Sequence, residues 1–391
     1  MITRRNCRLR VFEEATSMVE EFTAALRSLV DEESPSADTA AVERCGDRLA
    51  AVGEAVTGAA PERLALSGGP SALVWRRGDA RAPGRVLLLG HRDTVWPLGT
   101  AAERPFTVED GRARGPGVFD MKAGLLVGLH ALARLAPHVP VTLLVTGDEE
   151  VGSAASRELI EAEARACGAV LVLEGAAEGG ALKRARKGWS IYTLHCRGVS
   201  AHAGLEPHKG RNALVRMAEL VAESGRLGAP ERGLTVTPTL ARAGQTVNTV
   251  PDRAELHLDV RARTAADQRS ADESIRRLAE APTGVEVRVE GGINRPPMEE
   301  SAAAALLERA ARHARELGAR PPESAAVGGI SDANLVAALG VPVLDGLGAV
   351  GGGPHAEHEW VDVDATLHRI PLVTALVDGL AAHPLPGPEG M

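Results

Sequence analysis

The sequence predicts an α/β layered domain interrupted by a smaller α+β domain of ferredoxin-like order. Three observations lead there. The chain has 391 residues, beyond the roughly 250–300 at which a single core stops growing, so two domains are expected. Near both ends, continuous apolar runs that read as doubly covered strands alternate with helical segments. Between about 187 and 297 the pattern shifts to strands of alternating polarity, as in half-exposed sheets.

The elements follow in order. Residues 13–30 and 39–56 read as amphipathic helices. RVLLLG at 85–90 is an apolar run closed by glycine, hence a buried strand. MKAGLLVGLHALARLA at 121–136 is a helix, VTLLVTG at 141–147 a strand, 155–167 a helix and AVLVLEG at 169–175 a third buried strand. From about 188 to 198 the segment WSIYTLHCRGV then alternates. A helix at 210–226, strands at 233–242 and 253–263, a helix at 264–281 and a strand at 284–290 complete a β-α-β-β-α-β series. After GGINRPPM at 291–298 the α/β character returns, with helices at 301–317 and near 332–339, a strand at 342–348 and a helix at 364–381. The reading is a discontinuous domain of 1–186 and 298–391, an inserted domain of 187–297, and a frayed tail at 383–391.

Composition excludes several function classes. Hydrophobic residues at 44% and charged residues at 25% rule out a disordered or fibrous chain. No apolar run is long enough for a membrane span. Arg4, Arg5, Arg8 and Arg10 are followed by Glu13 and Glu14, where a signal peptide needs an apolar stretch. A net charge of -8 argues against a nucleic-acid surface, and 2% aromatic content against base-stacking platforms. Cys7, Cys45, Cys167 and Cys196 are far apart with no CxxC pair, which argues against a disulfide framework and for a reducing cytoplasm.

The chemistry gathers at strand ends. The strand at 85–90 runs into His91 and Asp93. The strand at 141–147 runs into Asp148-Glu149-Glu150, and the third ends in Glu174. Ligands of open α/β sheets collect at the carboxyl ends of the strands. Asp120 sits in the glycine-rich GPGVFDMKAG, and His355 in GGGPHAEHEW. Carboxylates meeting in one cleft repel unless one protonates or a cation neutralises them. With two imidazoles among them, the donor set suits zinc or a related divalent ion. A shared carboxylate in such a cluster suits two ions, typically about 3.5–4 Å apart.

Together these segments resemble the M20 metallopeptidases, and most their glutamate-carboxypeptidase branch. HRDTVWPLGT at 91–100, GPGVFDMKAG at 115–124, TGDEEVGS at 146–153, LEGA at 173–176, GVSAHAG at 198–204 and the H-x-x-x-E of 355–359 follow in family order. The resemblance spans roughly residues 20–375. It implies a zinc-peptidase-like α/β catalytic domain with a central mixed sheet and an inserted ferredoxin-like dimerisation, or lid, domain. His91, Asp120 and Glu174 would hold one metal; Asp120, Glu150 and His355 would hold the other. Asp93 would orient His91. Glu149 would be the general base toward the water between the metals, later returning the proton to the leaving amine.

His202 would cross a dimer interface to stabilise the partner site's oxyanion, with Asn248 of QTVNTVPD near the same substrate end. Arg295 of NRPP would bind the substrate's free carboxylate, with Arg261 and Lys187 adding charge. GGISDAN at 328–334, including Gly329 and Ser331, would offer backbone N–H groups. The metals implied are two divalent ions, zinc first, with cobalt or manganese as alternatives. The activity implied is hydrolysis of an amide to an amino acid with a free α-carboxylate. N-acyl-amino-acid deacylation is the runner-up, and a non-catalytic scaffold on the same fold the reading from another class. The expected partners are a peptide or N-acyl substrate and a second copy of the chain, with no nucleic acid or membrane.

Overall fold

The computed structural model describes residues 17–280 and 284–386. The expected start of the first helix (13–16), the arginines at 4–10, Cys7 and the last five residues lie outside them. The chain divides into two compact units. One runs through Arg184 and includes Glu300–Val327 and everything from Ser331 onward; the other comprises Ala185–Glu299 and Gly328–Ile330. The short return at 328–330 has no counterpart in the sequence-based boundaries.

The first unit is built on a six-stranded sheet. Across it the strands are Glu62–Leu64, Ala72–Arg77, Val141–Thr146, Val86–His91, Ala169–Val172 and Val343–Leu344. Val86–His91 is parallel to both its neighbours, whereas Ala72–Arg77 runs antiparallel to Val141–Thr146, which makes the sheet mixed. The central strands are buried at every position, as their unbroken apolar sequences require. Helix Ala123–Arg134 is apolar and buried almost all round. In register, His91 faces Thr146 and Leu89 faces Val172. The carboxyl ends of three adjacent parallel strands therefore open side by side, and the HRD, DEE and LEG segments leave the sheet together.

Two expected elements differ. The helix at 364–381 is two, Val363–Leu367 and Arg369–Ala382. Pro371 lies in the first turn of the second, where its missing N–H is harmless, while its ring excludes a continuous helix through Leu367. The strand at 342–348 shortens to Val343–Leu344, because buried Asp345 turns inward to accept the Ser331 hydroxyl at 2.8 Å.

The second unit carries a four-stranded antiparallel sheet in the order Thr235–Ala243, Arg253–Ala262, Gly188–Arg197, Glu286–Arg295. This is the ferredoxin-like arrangement, with the first and third strands of the series central. Alternating residues Tyr192, Leu194, Leu256, Leu258 and Val260 form its core with Leu220 and Ile275. Asn212 caps helix Ala213–Gly225, and Thr264 caps helix Ala265–Arg277. A small pair, Ala201–His202 with Thr249–Val250, projects from it. No described helix is long and apolar enough to cross a membrane.

Candidate metal centre

The three strand ends of the first unit bring His91, Asp93, Glu149, Glu150 and Glu174 together, and two loops add Asp120 and His355. The His91 ring is buried; its Nδ1 lies 3.0 Å from the Asp93 carbonyl oxygen and 3.3 Å from Oδ1 of the same residue. That fixes the ring and aims Nε2 at Asp120 Oδ1 (3.4 Å) and Glu174 Oε1 (3.5 Å). The other oxygen of Asp120, Oδ2, lies 3.4 Å from His355 Nε2. His355 Nε2 is also 3.2 Å from Glu150. Asp120 thus has one oxygen toward each histidine. Donor atoms of His91, Glu149 and Glu174 lie within 4.8 Å of one another, as do those of His91, Asp120 and Glu150.

Asp93, fully buried, does more than orient His91. It accepts N–H bonds from Glu149 (3.2 Å) and Glu150 (3.1 Å) and a hydroxyl bond from Ser36 (2.7 Å). It therefore holds the 3₁₀ turn Glu149–Val151 by its backbone. Arg92, between the two motif residues, points the opposite way and is also fully buried. It donates to the carbonyls of Val42 (3.0 Å), Ser71 (2.7 Å) and Thr146 (3.3 Å). Neither spacing nor periodicity signals this buried arginine.

The electrostatics call for positive charge. Burial alone would lower the His91 pKa, but the carboxylates of Asp120, Asp93 and Glu174 hold it well above its ordinary value. Contacts with Asp120 and Glu150 raise His355 to about 10. Burial opposes ionisation of Asp120, yet the His355 and His91 imidazoles beside it push its carboxyl far below the usual range. Burial, together with the charge of Asp120, raises Glu150. Among the described residues, His91 Nε2 and Asp120 Oδ1 are buried without a hydrogen-bond partner. A divalent cation satisfies both the charge and these donor atoms, so the donor set fits the metals expected from it.

The remaining candidates, Ser331 apart, belong to the second unit. His202 is exposed on the projecting pair of the second unit, and its Nδ1 accepts the N–H groups of Gly204 and Leu205, each at 3.1 Å. Those donors place the ring proton on Nε2. Asn248 is adjacent, its carbonyl bonded to Ala203 N–H at 2.9 Å. Register puts Arg261 and Arg295 on either side of Trp189, and Lys187 lies next to the same strand. Burial, then Arg263 and Arg261, pushes the Lys187 ammonium down. Arg261 is engaged locally, donating to Asp259 at 2.9 and 3.0 Å with its guanidinium 5.0 Å from the Trp189 ring centroid. Arg295 is buried.

Gly329 and Ile330 are held by their carbonyls, both 3.1 Å from Arg186 Nη1. Ser331 belongs to the first unit. Its N–H donates to Asn334 (3.0 Å) and its hydroxyl to Asp345 (2.8 Å), so it is spent inside the fold.

Comparison with known proteins agrees with this geometry. The family model for peptidase family M20/M25/M40 matches residues 87–378. Carboxypeptidase G2 of Pseudomonas sp. (strain RS-16) is 30% identical over 386 residues, covering 95% of this chain and 92% of that protein. Succinyl-diaminopimelate desuccinylase of Corynebacterium glutamicum is 29% identical over 295 residues, covering 70% and 75%. Among solved structures, the M20 family metallo-carboxypeptidase Sso-CP2 from Sulfolobus solfataricus superposes with a TM-score of 0.73 at 18% identity, covering 92% of this chain and 99% of that one. Bacillus subtilis YXEP, a dinuclear metal binding peptidase from the M20 family, superposes with a TM-score of 0.66 at 15% identity, covering 93% and 99%. At those identities the two structures speak for the fold.

Proposed function

We propose, since the chain belongs to peptidase family M20/M25/M40 and is a metal-dependent hydrolase, that it cleaves an amide whose amine side is an amino acid with a free α-carboxylate. The observation that carries this reading is the division of Asp120 between His91 and His355, which suits two cations sharing one carboxylate. His91, Asp120 and Glu174 would hold one, and Asp120, Glu150 and His355 the other. Zinc matches the imidazole-carboxylate donors. Cations held there supply Lewis acidity, polarising a carbonyl and acidifying water.

Glu149 is the proton carrier. Its N–H is anchored on Asp93, which supports a carboxylate that would take a proton from the attacking water and return it to the departing amine. His202, whose Nδ1 accepts two backbone N–H groups, offers Nε2 as the donor end suited to a developing oxyanion. Its exposure supports a role in the site of a second copy, in a dimer formed through the second unit. Arg295, Lys187 and the Gly329 backbone would recognise the free carboxylate.

Release of a C-terminal glutamate is the leading substrate reading, supported by 30% identity to carboxypeptidase G2 over 95% of the chain. Deacylation of N-acyl amino acids is second, supported by the likeness to succinyl-diaminopimelate desuccinylases. A reducing cytoplasm suits the three buried, unpaired thiols Cys45, Cys167 and Cys196. A hydrolysis screen of C-terminal dipeptides and N-acyl amino acids, with and without EDTA, tests the proposal. Chelator-sensitive cleavage only of substrates with a free α-carboxylate is expected. Cleavage unaffected by EDTA, or equal cleavage of carboxyl-amidated substrates, overturns it.

A further inference from the structure

Glu359 lies four residues beyond His355 and is 2% exposed. Its carboxylate gathers four N–H donors from two separate segments. Oε1 accepts from Phe119 (2.8 Å) and from Asp120 (3.0 Å). Oε2 accepts from Gly117 (2.9 Å) and from the Trp96 indole (3.0 Å). All four donors are neutral, so the charge is satisfied by converging backbone and indole dipoles.

The turn that presents these donors is shaped for this. Gly117 sits at φ 72°, a left-handed conformation costly for other residues, and a Cβ there would meet Thr94 Cγ2 at 2.6 Å. Trp96, in the segment that follows His91 and Asp93, is covered by the Arg104 guanidinium at 4.0 Å from its ring. One buried carboxylate therefore ties the loop bearing His355, the turn bearing Asp120 and the segment after the HRD motif.

We propose that Glu359 is a positioning residue that places the Asp120 carboxylate by holding the Asp120 backbone, and so sets the affinity of both cation sites that share it. The inference rests on the reading of Asp120 as the shared ligand. A residue that only stabilised the fold would shift the unfolding midpoint. A residue that places Asp120 also alters how the folded protein holds metal.

The test uses the full chain, with zinc affinity read by competition with a chromophoric chelator and ligand geometry by the visible bands of the cobalt(II)-loaded protein. In Glu359→Gln one oxygen becomes an NH2 facing two N–H donors, which it cannot satisfy. Zinc affinity is expected to fall about 10- to 100-fold, the range seen when groups that orient metal ligands are removed, and the cobalt bands to move. If Glu359→Gln does not fold, Glu359→Asp decides the matter. It keeps the charge, loses one methylene of reach, and is expected to weaken zinc in the same direction. Wild-type zinc affinity and an unchanged cobalt spectrum in either folded variant overturn the proposal. Failure of the underlying reading looks different: the wild type would then bind fewer than two zinc ions, or Asp120→Ala would bind both.

Discussion

The two oxygens of Asp120 face different histidines, so the ligands are not equivalent under mutation. Asp120→Ala is expected to lose both cations, whereas His355→Ala is expected to keep one, held by His91 and Glu174. Zinc per folded chain, measured by elemental analysis after gel filtration, distinguishes the two. Equal stoichiometry in both variants would remove Asp120 from the shared position. Glu149 presents the complementary case. Its donor atoms lie close enough to those of His91 and Glu174 to ligate, so its assignment as base rests on its effect on turnover. Glu149→Ala is expected to retain both zinc ions while kcat drops about 10²- to 10⁴-fold, the usual contribution of general acid–base catalysis. Loss of a zinc ion in that variant would make Glu149 a ligand instead. Much of this centre is legible in the sequence, since acids and imidazoles stand at the ends of apolar strands whose carboxyl ends must converge. Arg92 and the full role of Glu359 are not. A buried arginine ringed by carbonyls, or a carboxylate gathering backbone N–H groups from a distant turn, has no periodic or spacing signature.

At the level of elements, the strands buried on both faces are legible because nothing but an unbroken apolar run survives there. Ala72–Arg77 is not, because it closes on Arg76 and Arg77 and lies one strand from the edge. The joint between helix Ala123–Arg134 and the strand leading to Glu174 ties packing to the position of this proposed ligand. A Cβ on Gly124 would fall on the carbonyl oxygen of Leu173, the residue before Glu174. Backbone cannot yield as a flexible side chain does, so either the helix or the ligand strand must move. Gly124→Ala is expected to cost at least about 1–3 kcal/mol, the usual range for overpacking, read as a lower urea midpoint. Because the displaced backbone carries Glu174, zinc affinity should fall as well. A variant with an unchanged midpoint would show that this joint is looser than its geometry implies.

At the scale of the whole molecule, the acidic cluster makes the folded state depend on its cations. Buried carboxylates at one locus repel until positive charge enters. Any ion bound only by the folded chain stabilises it in proportion to ln(1 + [L]/Kd), about 2.7 kcal/mol at a hundredfold excess over Kd. Dialysis against EDTA should therefore abolish hydrolysis and lower the thermal midpoint, and zinc should restore both. A midpoint indifferent to zinc would mean that the cluster does not hold it. The role proposed for His202 would extend the dependence to a second copy. His202 projects from the second unit with Nε2 as the donor end, while the base and ligands belong to the first. If His202 serves the partner's site, two inactive variants complement each other. In a dimer of Glu149→Ala with His202→Ala, the His202→Ala subunit has its own Glu149 and receives the partner's intact His202, so one of two sites is complete. Random re-association of equal amounts makes half of the dimers mixed, which predicts recovery of about one quarter of wild-type activity. Recovery should appear only after conditions that exchange subunits. If mixtures stay as inactive as their parents after proven exchange, His202 acts within its own chain.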